Sequence, residues 1–259
     1  MLSVISPAKR LDWADRAVEM TEPAFTADAA ALARVARRLS AAELGKLMDI
    51  SPALAKLNAE RFRDFETDGA EARPAAFAFA GDTYLGLEAA SLDAEDLRFA
   101  QDRLRILSGL YGLLRPLDAI KAYRLEMGSR LRTAKGETLY AWWGDRLARA
   151  LNDEAARLGT GTLINCASVE YFSAVDLGAL ELEVITPQFL EDKPGGPKIV
   201  SFFAKRARGA MARFIIERRL TDPAAILDFD AGGYAHAPEL SAPGKPAFLR
   251  RAEAAEKAA

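Results

Sequence analysis

Residues 2–5, LSVI, form a short apolar run that stops at Ser6-Pro7. A proline there cannot continue a central strand, so the run predicts a strand followed by the loop SPAKRLD at 6–12. After Thr26 or Asp28, the residues Leu32, Val35, Ala36 and Leu39 share one helical face. Ser40 and Glu43 have the spacing of a capping box, and Ser51 followed by Pro52 marks another helix start. Residues 40–66 therefore read as two short helices linked by Asp49-Ile50-Ser51. The first buries Leu44, Leu47 and Met48, and the second carries Leu54, Leu57, Arg61, Phe62 and Phe65 on one side. Further on, 75–80 reads as a strand closed by Gly81-Asp82, and 94–114 as a helix broken by Gly109, Gly112 and Pro116. Another helix is predicted over 139–158, with Trp143, Leu147, Leu151 and Leu158 inward. Short strands are predicted at 163–166, 182–186 and 199–203, and a long basic helix over 204–220. Three short strands follow near Ile226, Tyr234 and Phe248, and a frayed helix over the tail 251–259. Alanine fills 52 of 259 positions, which favours helix but blurs periodicity because alanine suits either face.

With 50% hydrophobic and 28% charged residues, the composition is that of a soluble globular chain rather than a disordered or fibrous one. The length is read as one domain, 1–259, without repeats or low-complexity linkers. No apolar run approaches the roughly 18 to 20 residues that span a bilayer, and the N-terminus lacks a signal-peptide pattern. The one cysteine, Cys166, cannot make an internal disulfide, and with the one histidine, His236, it cannot build a His/Cys zinc cage. These features predict a reducing, cytoplasmic setting, with no metal and no cofactor.

The net charge of -2 announces no nucleic-acid binder, but its distribution is uneven. Residues 60–97 hold ten acidic and three basic side chains, residues 103–135 eight basic and two acidic, and residues 198–220 seven basic and one acidic. A polarised surface of this kind can focus an anionic ligand into one cleft, whereas a basic helix face can equally be a solvated one. On the basic helix, Lys205, Arg206, Arg208 and Arg213 fall opposite Ala207, Ala210, Met211 and Phe214. Gly209 and Ala212 lie among the cations and would let a bulky ligand approach the backbone. The helix is expected to begin at the end of the 199–203 strand, so that its positive terminus adds to the field.

In INCASVEYF, Asn165, Ser168, Glu170 and Tyr171 follow a strand at its C-terminal end, where open sheets place ligands. Glu170 is either a general acid or base, or an ion-pair partner of Arg208 or Lys205. In SGLYGLLRPLDAIKAYRLEMG, the charges Arg115, Lys121, Arg124 and Glu126 sit among glycines and aromatics. No phosphate loop, dinucleotide fingerprint, zincin helix or nucleophile elbow is present in the sequence. Cys166 reads as a buried small hydrophobe rather than a nucleophile, and His236 as a structural or a solvated residue.

Together SPAKRLD, GDTYLGL at 81–87, SGLYGLLRPLD at 108–118, YRLEMG at 123–128, NCASVEYF at 165–172 and SFFAKRARGAMARFII at 201–216 resemble the YaaA family of peroxide-stress resistance proteins. The resemblance runs from Met1 to about Tyr234. It implies a cytosolic bacterial protein of mixed α/β (α+β) fold, with a central mixed sheet wrapped by helices. It also implies DNA binding in a positively charged cleft, a helix-hairpin-helix-like unit, and a link to hydrogen-peroxide stress and to limiting free iron. The unit would be 40–66, where Asp49-Ile50-Ser51 stands in place of the usual Gly-apolar-Gly. His236 stands where an aromatic residue is expected.

The leading expectation is a monomeric protein that binds double-stranded or structured DNA. Lys9, Arg10, Arg115, Lys121, Arg124, Lys205, Arg206, Arg208 and Arg213 would neutralise phosphates, and Asn165, Ser168 and Tyr171 would make polar contacts at the cleft floor. The alternative is an enzyme acting on a nucleotide or modified nucleic acid. Glu170 or Glu126 would then be its acid/base, and Lys9 or Lys205 its electrostatic stabiliser. A third reading is a small-anion or iron-metabolite binder without catalysis.

Overall fold

The computed structural model describes residues 1–66 and 70–251. Strand β1 (Leu2–Ile5) is wholly buried and leads through the expected loop to β2 (Arg10–Leu11). Three helices follow: α1 (Thr26–Ala36), α2 (Ala41–Met48) and α3 (Pro52–Arg63). The Ser40/Glu43 capping box forms, the Ser51 side chain caps α3, and Asp49 closes α2 in the left-handed region at φ 49°. Next come β3 (Ala72–Pro74), the single-turn α4 (Ala75–Ala78), β4 (Phe79–Ala80), α5 (Asp82–Leu87) and α6 (Ala94–Arg103). The middle of the chain supplies β5 (Leu104–Ser108), β6 (Gly112–Leu114), β7 (Ala119–Lys121), α7 (Leu139–Trp143) and α8 (Arg146–Leu158). The last third holds β8 (Thr162–Cys166), α9 (Val169–Phe172), β9 (Glu183–Ile185), β10 (Gln188–Glu191), α10 (Ser201–Glu217), β11 (Tyr234–His236) and β12 (Ala247–Arg250).

The fold is mixed α/β around a central mixed sheet of order β6-β5-β1-β8-β9. β5, β1, β8 and β9 run parallel, and β6 returns antiparallel on the β5 edge. A second sheet, β10-β12-β11, and two strand pairs, β2-β4 and β3-β7, lie outside it. Leu2, Val4 and Ile5 of β1 have no exposed surface, as expected of a strand with both sheet neighbours and both faces covered.

Several elements differ from the pattern-based expectation. The helix expected over 94–114 ends at Arg103, and Leu104–Ser108 becomes a fully buried strand beside β1. The pattern Leu104, Ile106 and Leu107 around a buried Arg105 suits a central strand as well as a helix face, and the neighbouring β1 decides between them. The strand expected at 75–80 is a helical turn followed by two strand residues, in keeping with its alanine content. The helix over 139–158 breaks at Gly144, whose φ of 52° ends α7. Near Ile226 the chain is a 3-10 turn, not a strand. Residues 199–203 form no strand; α10 starts at Ser201 and is separated from β10 by residues 192–200, so its N-terminus does not issue from a strand end. The helix expected over the tail lies outside the described residues apart from Arg251.

Candidate functional site

β1 and β8 lie side by side and in register, with Ile5 opposite Cys166. From β1 the chain next joins the sheet at β5 on one side, and from β8 it continues to β9 on the other. Their C-terminal ends therefore form a switch point, where the two following loops part and leave a crevice. A cavity of about 570 Å³ opens there. Ser6 and Lys9 come from the loop after β1 and Arg10 from the start of β2, Ser168 from the turn after β8, Glu170 and Tyr171 from α9, and Lys205 and Arg208 from α10. Gly81, Asp82 and Thr83 close it at the start of α5. Four cations, Lys9, Arg10, Lys205 and Arg208, face two carboxylates, Asp82 and Glu170.

Hydrogen bonds fix the crevice. The Ser168 backbone N–H donates to Ser6 Oγ at 2.9 Å, and Tyr84 donates its hydroxyl to the Ser6 carbonyl at 3.2 Å. Burial raises the Tyr84 and Tyr171 phenols well above their ordinary pKa, so both stay protonated at neutral pH. Asn165 Oδ1 accepts the Ala167 N–H at 3.0 Å, which turns the chain out of β8. Glu170 is exposed and pairs with neither Lys205 nor Arg208. Its Oε1 accepts the Gly128 N–H at 3.0 Å, and its carbonyl accepts the Tyr140 hydroxyl at 2.9 Å.

Behind Lys9 lies Glu126, a buried carboxylate. Its Oε1 holds Arg124 at 3.0 Å and Lys9 at 3.4 Å, whereas Oε2 is buried without a hydrogen-bond partner. Arg208 has the least compensated charge. It is half-buried and makes no ion pair or hydrogen bond with any described residue. Burial lowers the Arg208 pKa, and the neighbouring Cys166 acts in the opposite sense; a guanidinium nonetheless stays charged. Burial pushes the Cys166 thiol up to about 12, against the pull of Arg208. A half-buried cation without a carboxylate partner is costly unless an anion meets it.

The other cations named from the sequence lie elsewhere or are already engaged. Arg115 is paired with Asp118 at 3.0 Å in a separate cavity with Arg105 and Arg157. Lys121 donates to the Phe65 carbonyl at 2.5 Å and lines a third cavity. Arg124 stands behind Lys9, held by Glu126. Arg206 is exposed outside the cavity lining. Arg213 donates to the carbonyls of Leu87 and Glu88 and to Ser91 Oγ, so it ties down the end of α5. Asn165 is buried at the edge of a neighbouring cavity that also includes Arg208.

The small residues of α10 do not face a ligand either. A Cβ on Gly209 would stand 1.7 Å from the Thr83 carbonyl oxygen, and one on Gly86 would stand 2.0 Å from that of Arg206. These glycines let α5 and α10 cross backbone to backbone, and Ala212 is fully buried. Ser6, Asp82, Thr83 and Tyr84 join the site without having been named as candidates. Asp82, Thr83 and Tyr84 lie in the GDTYLGL motif and Ser6 in SPAKRLD, motifs that mark the two segments but not that the fold brings them together.

The described residues contain no group of three or more His, Cys, Asp or Glu side chains placed to hold a metal, and no helix long and apolar enough to cross a membrane. A family model described as peroxide stress protein YaaA matches residues 1–240. A UPF0246 protein of Jannaschia sp. (strain CCS1) is 72% identical over 259 residues, covering 100% of both chains. A UPF0246 protein of Ruegeria pomeroyi is 66% identical over 252 residues, covering 96% of this chain and 98% of its own. One of Roseobacter denitrificans is 62% identical over 254 residues, with 96% and 98% covered.

Proposed function

The chain belongs to the peroxide stress protein YaaA family, and from that premise we propose that it is a cytoplasmic DNA-binding protein of the hydrogen-peroxide response, which protects DNA and limits free iron. The role in peroxide stress comes with the family. The DNA-binding part rests on Arg208, a half-buried guanidinium without a partner among the described residues at the β1/β8 switch point, flanked by Lys9, Arg10 and Lys205. A phosphate there would replace the missing counter-charge and exchange condensed ions for fixed ones. Lys205 offers the cleanest test because it is exposed and holds no other group in place among the described residues. Lys205→Glu should leave folding intact and weaken duplex binding at low salt by about tenfold or more, since it replaces an attraction with a repulsion. In cells the same variant should lose peroxide protection. Unchanged duplex binding by the folded variant would remove this cavity from the DNA interface.

A second reading, an enzyme acting on a nucleotide or modified nucleic acid, is favoured by one observation. Glu126 Oε2 is a buried carboxylate oxygen without a partner, next to the Lys9 contact. Glu170→Gln separates the readings, because Glu170 lines the cavity itself, whereas Glu126 stands behind Lys9. In a binder, neutralising it leaves DNA affinity equal or higher; in an enzyme using it as acid/base, activity falls about 10²–10⁴-fold while affinity is kept.

A further inference from the structure

Arg208 lines two cavities. On one side is the cationic cavity with Lys9, Arg10 and Lys205; on the other is a cavity of about 770 Å³. Val169 also borders both, so the two share an edge made by Val169 and Arg208. The second cavity has a different chemistry. Tyr140, Phe172, Val175 and Ile199 give it aromatic and aliphatic walls, and Asn165, Thr186 and Gln188 bring amide and hydroxyl groups. Its rim keeps large apolar side chains in water: Val169 is 82% exposed, Leu177 65% and Ile199 53%. Such exposure at a concave site marks surface that gains from being covered.

The amides are placed to read an edge. Gln188 donates its Nε2 to the Thr186 carbonyl at 3.0 Å, which fixes the side chain, and its Oε1 accepts no hydrogen bond from a described residue. Asn165 is anchored through Ala167 and, at 3.4 Å, through Thr186 Oγ1. A nucleobase presents an apolar face to stack and a planar edge of donors and acceptors, and flat side chains with fixed amides suit both.

We infer that Arg208 joins the two cavities into one nucleoside-phosphate site, with the phosphate on the Lys9 and Lys205 side and the base between Tyr140, Phe172 and Gln188. This rests on the reading of the cationic cavity as a phosphate site. The ligand is either a free nucleotide or one unit of a strand whose base has left the stack.

Two measurements separate these sources. In equilibrium dialysis, at least one of the four 5′-mononucleotides should bind about tenfold or more tighter than inorganic phosphate, the increment expected of one stacked base. Phe172→Ala and Gln188→Ala should bring that affinity down toward the phosphate value, and Arg208→Ala should weaken nucleotide and phosphate alike. Gln188→Ala keeps the test readable if loss of the Phe172 ring harms folding. In the second measurement, a duplex carrying 2-aminopurine should brighten on binding if a base is drawn out, and Gln188→Ala should dim that signal. A nucleotide preference without brightening assigns the site to free nucleotides, and brightening assigns it to a strand. Duplex binding with no brightening and no preference for nucleotide over phosphate overturns the nucleoside site and leaves DNA binding standing. Nucleotide preference without duplex binding overturns DNA binding and leaves the site.

Discussion

Arg208 and Arg213 lie on the same helix and carry the same charge, yet their situations differ. Arg213 is spent on the end of α5, whereas Arg208 has no partner among the described residues. A helical wheel says which face a residue occupies but not what packs on that face. The same limit hid the purpose of Gly209, read as room for a ligand and found as room for α5. Gly209→Ala should therefore act on stability rather than on binding. With backbone in the way, the cost is about 3 kcal/mol, measurable by chemical denaturation. Cys166 gives a second residue-scale prediction. A thiol held up at about 12 is thiolate in roughly one molecule in 10⁴ at pH 8, and it is buried besides. Native protein treated with hydrogen peroxide should keep Cys166 unoxidised by mass spectrometry, and unfolding should expose it to reaction. The positions Lys9, Glu170 and Lys205 were legible because each sits just past a strand or on the basic helix. Ser6 and Asp82 were not, since nothing in their local pattern reveals which loops the sheet brings together.

Among the elements, α2 and α3 were the most legible, because Ser40, Glu43, Ser51 and Pro52 are local signals that act within a few residues. β5 was the least legible, because its neighbour β1 lies about a hundred residues away in sequence and decides its conformation. Asp49 holds a left-handed position that glycine occupies at little cost. Asp49→Gly should raise stability by about 0.5–1 kcal/mol, read as an increase in thermal midpoint. If the hairpin backbone touches phosphate, the same change removes a repelling carboxylate and also tightens duplex binding. A gain in stability without a gain in affinity would confine the α2–α3 unit to a structural role. The second sheet is held by a buried cluster. Tyr234 donates its hydroxyl to Glu191, and Arg250 donates to the other Glu191 oxygen at 2.9 Å. Glu191→Gln leaves Arg250 buried without a counter-charge, and should cost about 3–5 kcal/mol and loosen β12, read as faster amide exchange at Phe248 and Leu249.

At the scale of the molecule, the cations that the sequence clustered into two blocks are sorted by the fold. Lys205 and Arg208 join Lys9 and Arg10, which come from outside both blocks, at one crevice, while Arg115 and Lys121 open onto others and pair locally. The crevice at the ends of β1 and β8 is proposed to take nucleic-acid phosphate through Lys205 and Arg208. Counter-ion release makes that claim measurable: each phosphate neutralised adds about -0.9 to the slope of log affinity against log salt. The most direct test compares duplex-DNA affinity of the wild-type protein and of the Lys205→Ala/Arg208→Ala variant across about 50 to 200 mM salt. The variant should bind more weakly, with a slope flatter by about two units. Equal slopes in the two folded proteins would contradict it, because the crevice would then carry none of the phosphate contacts.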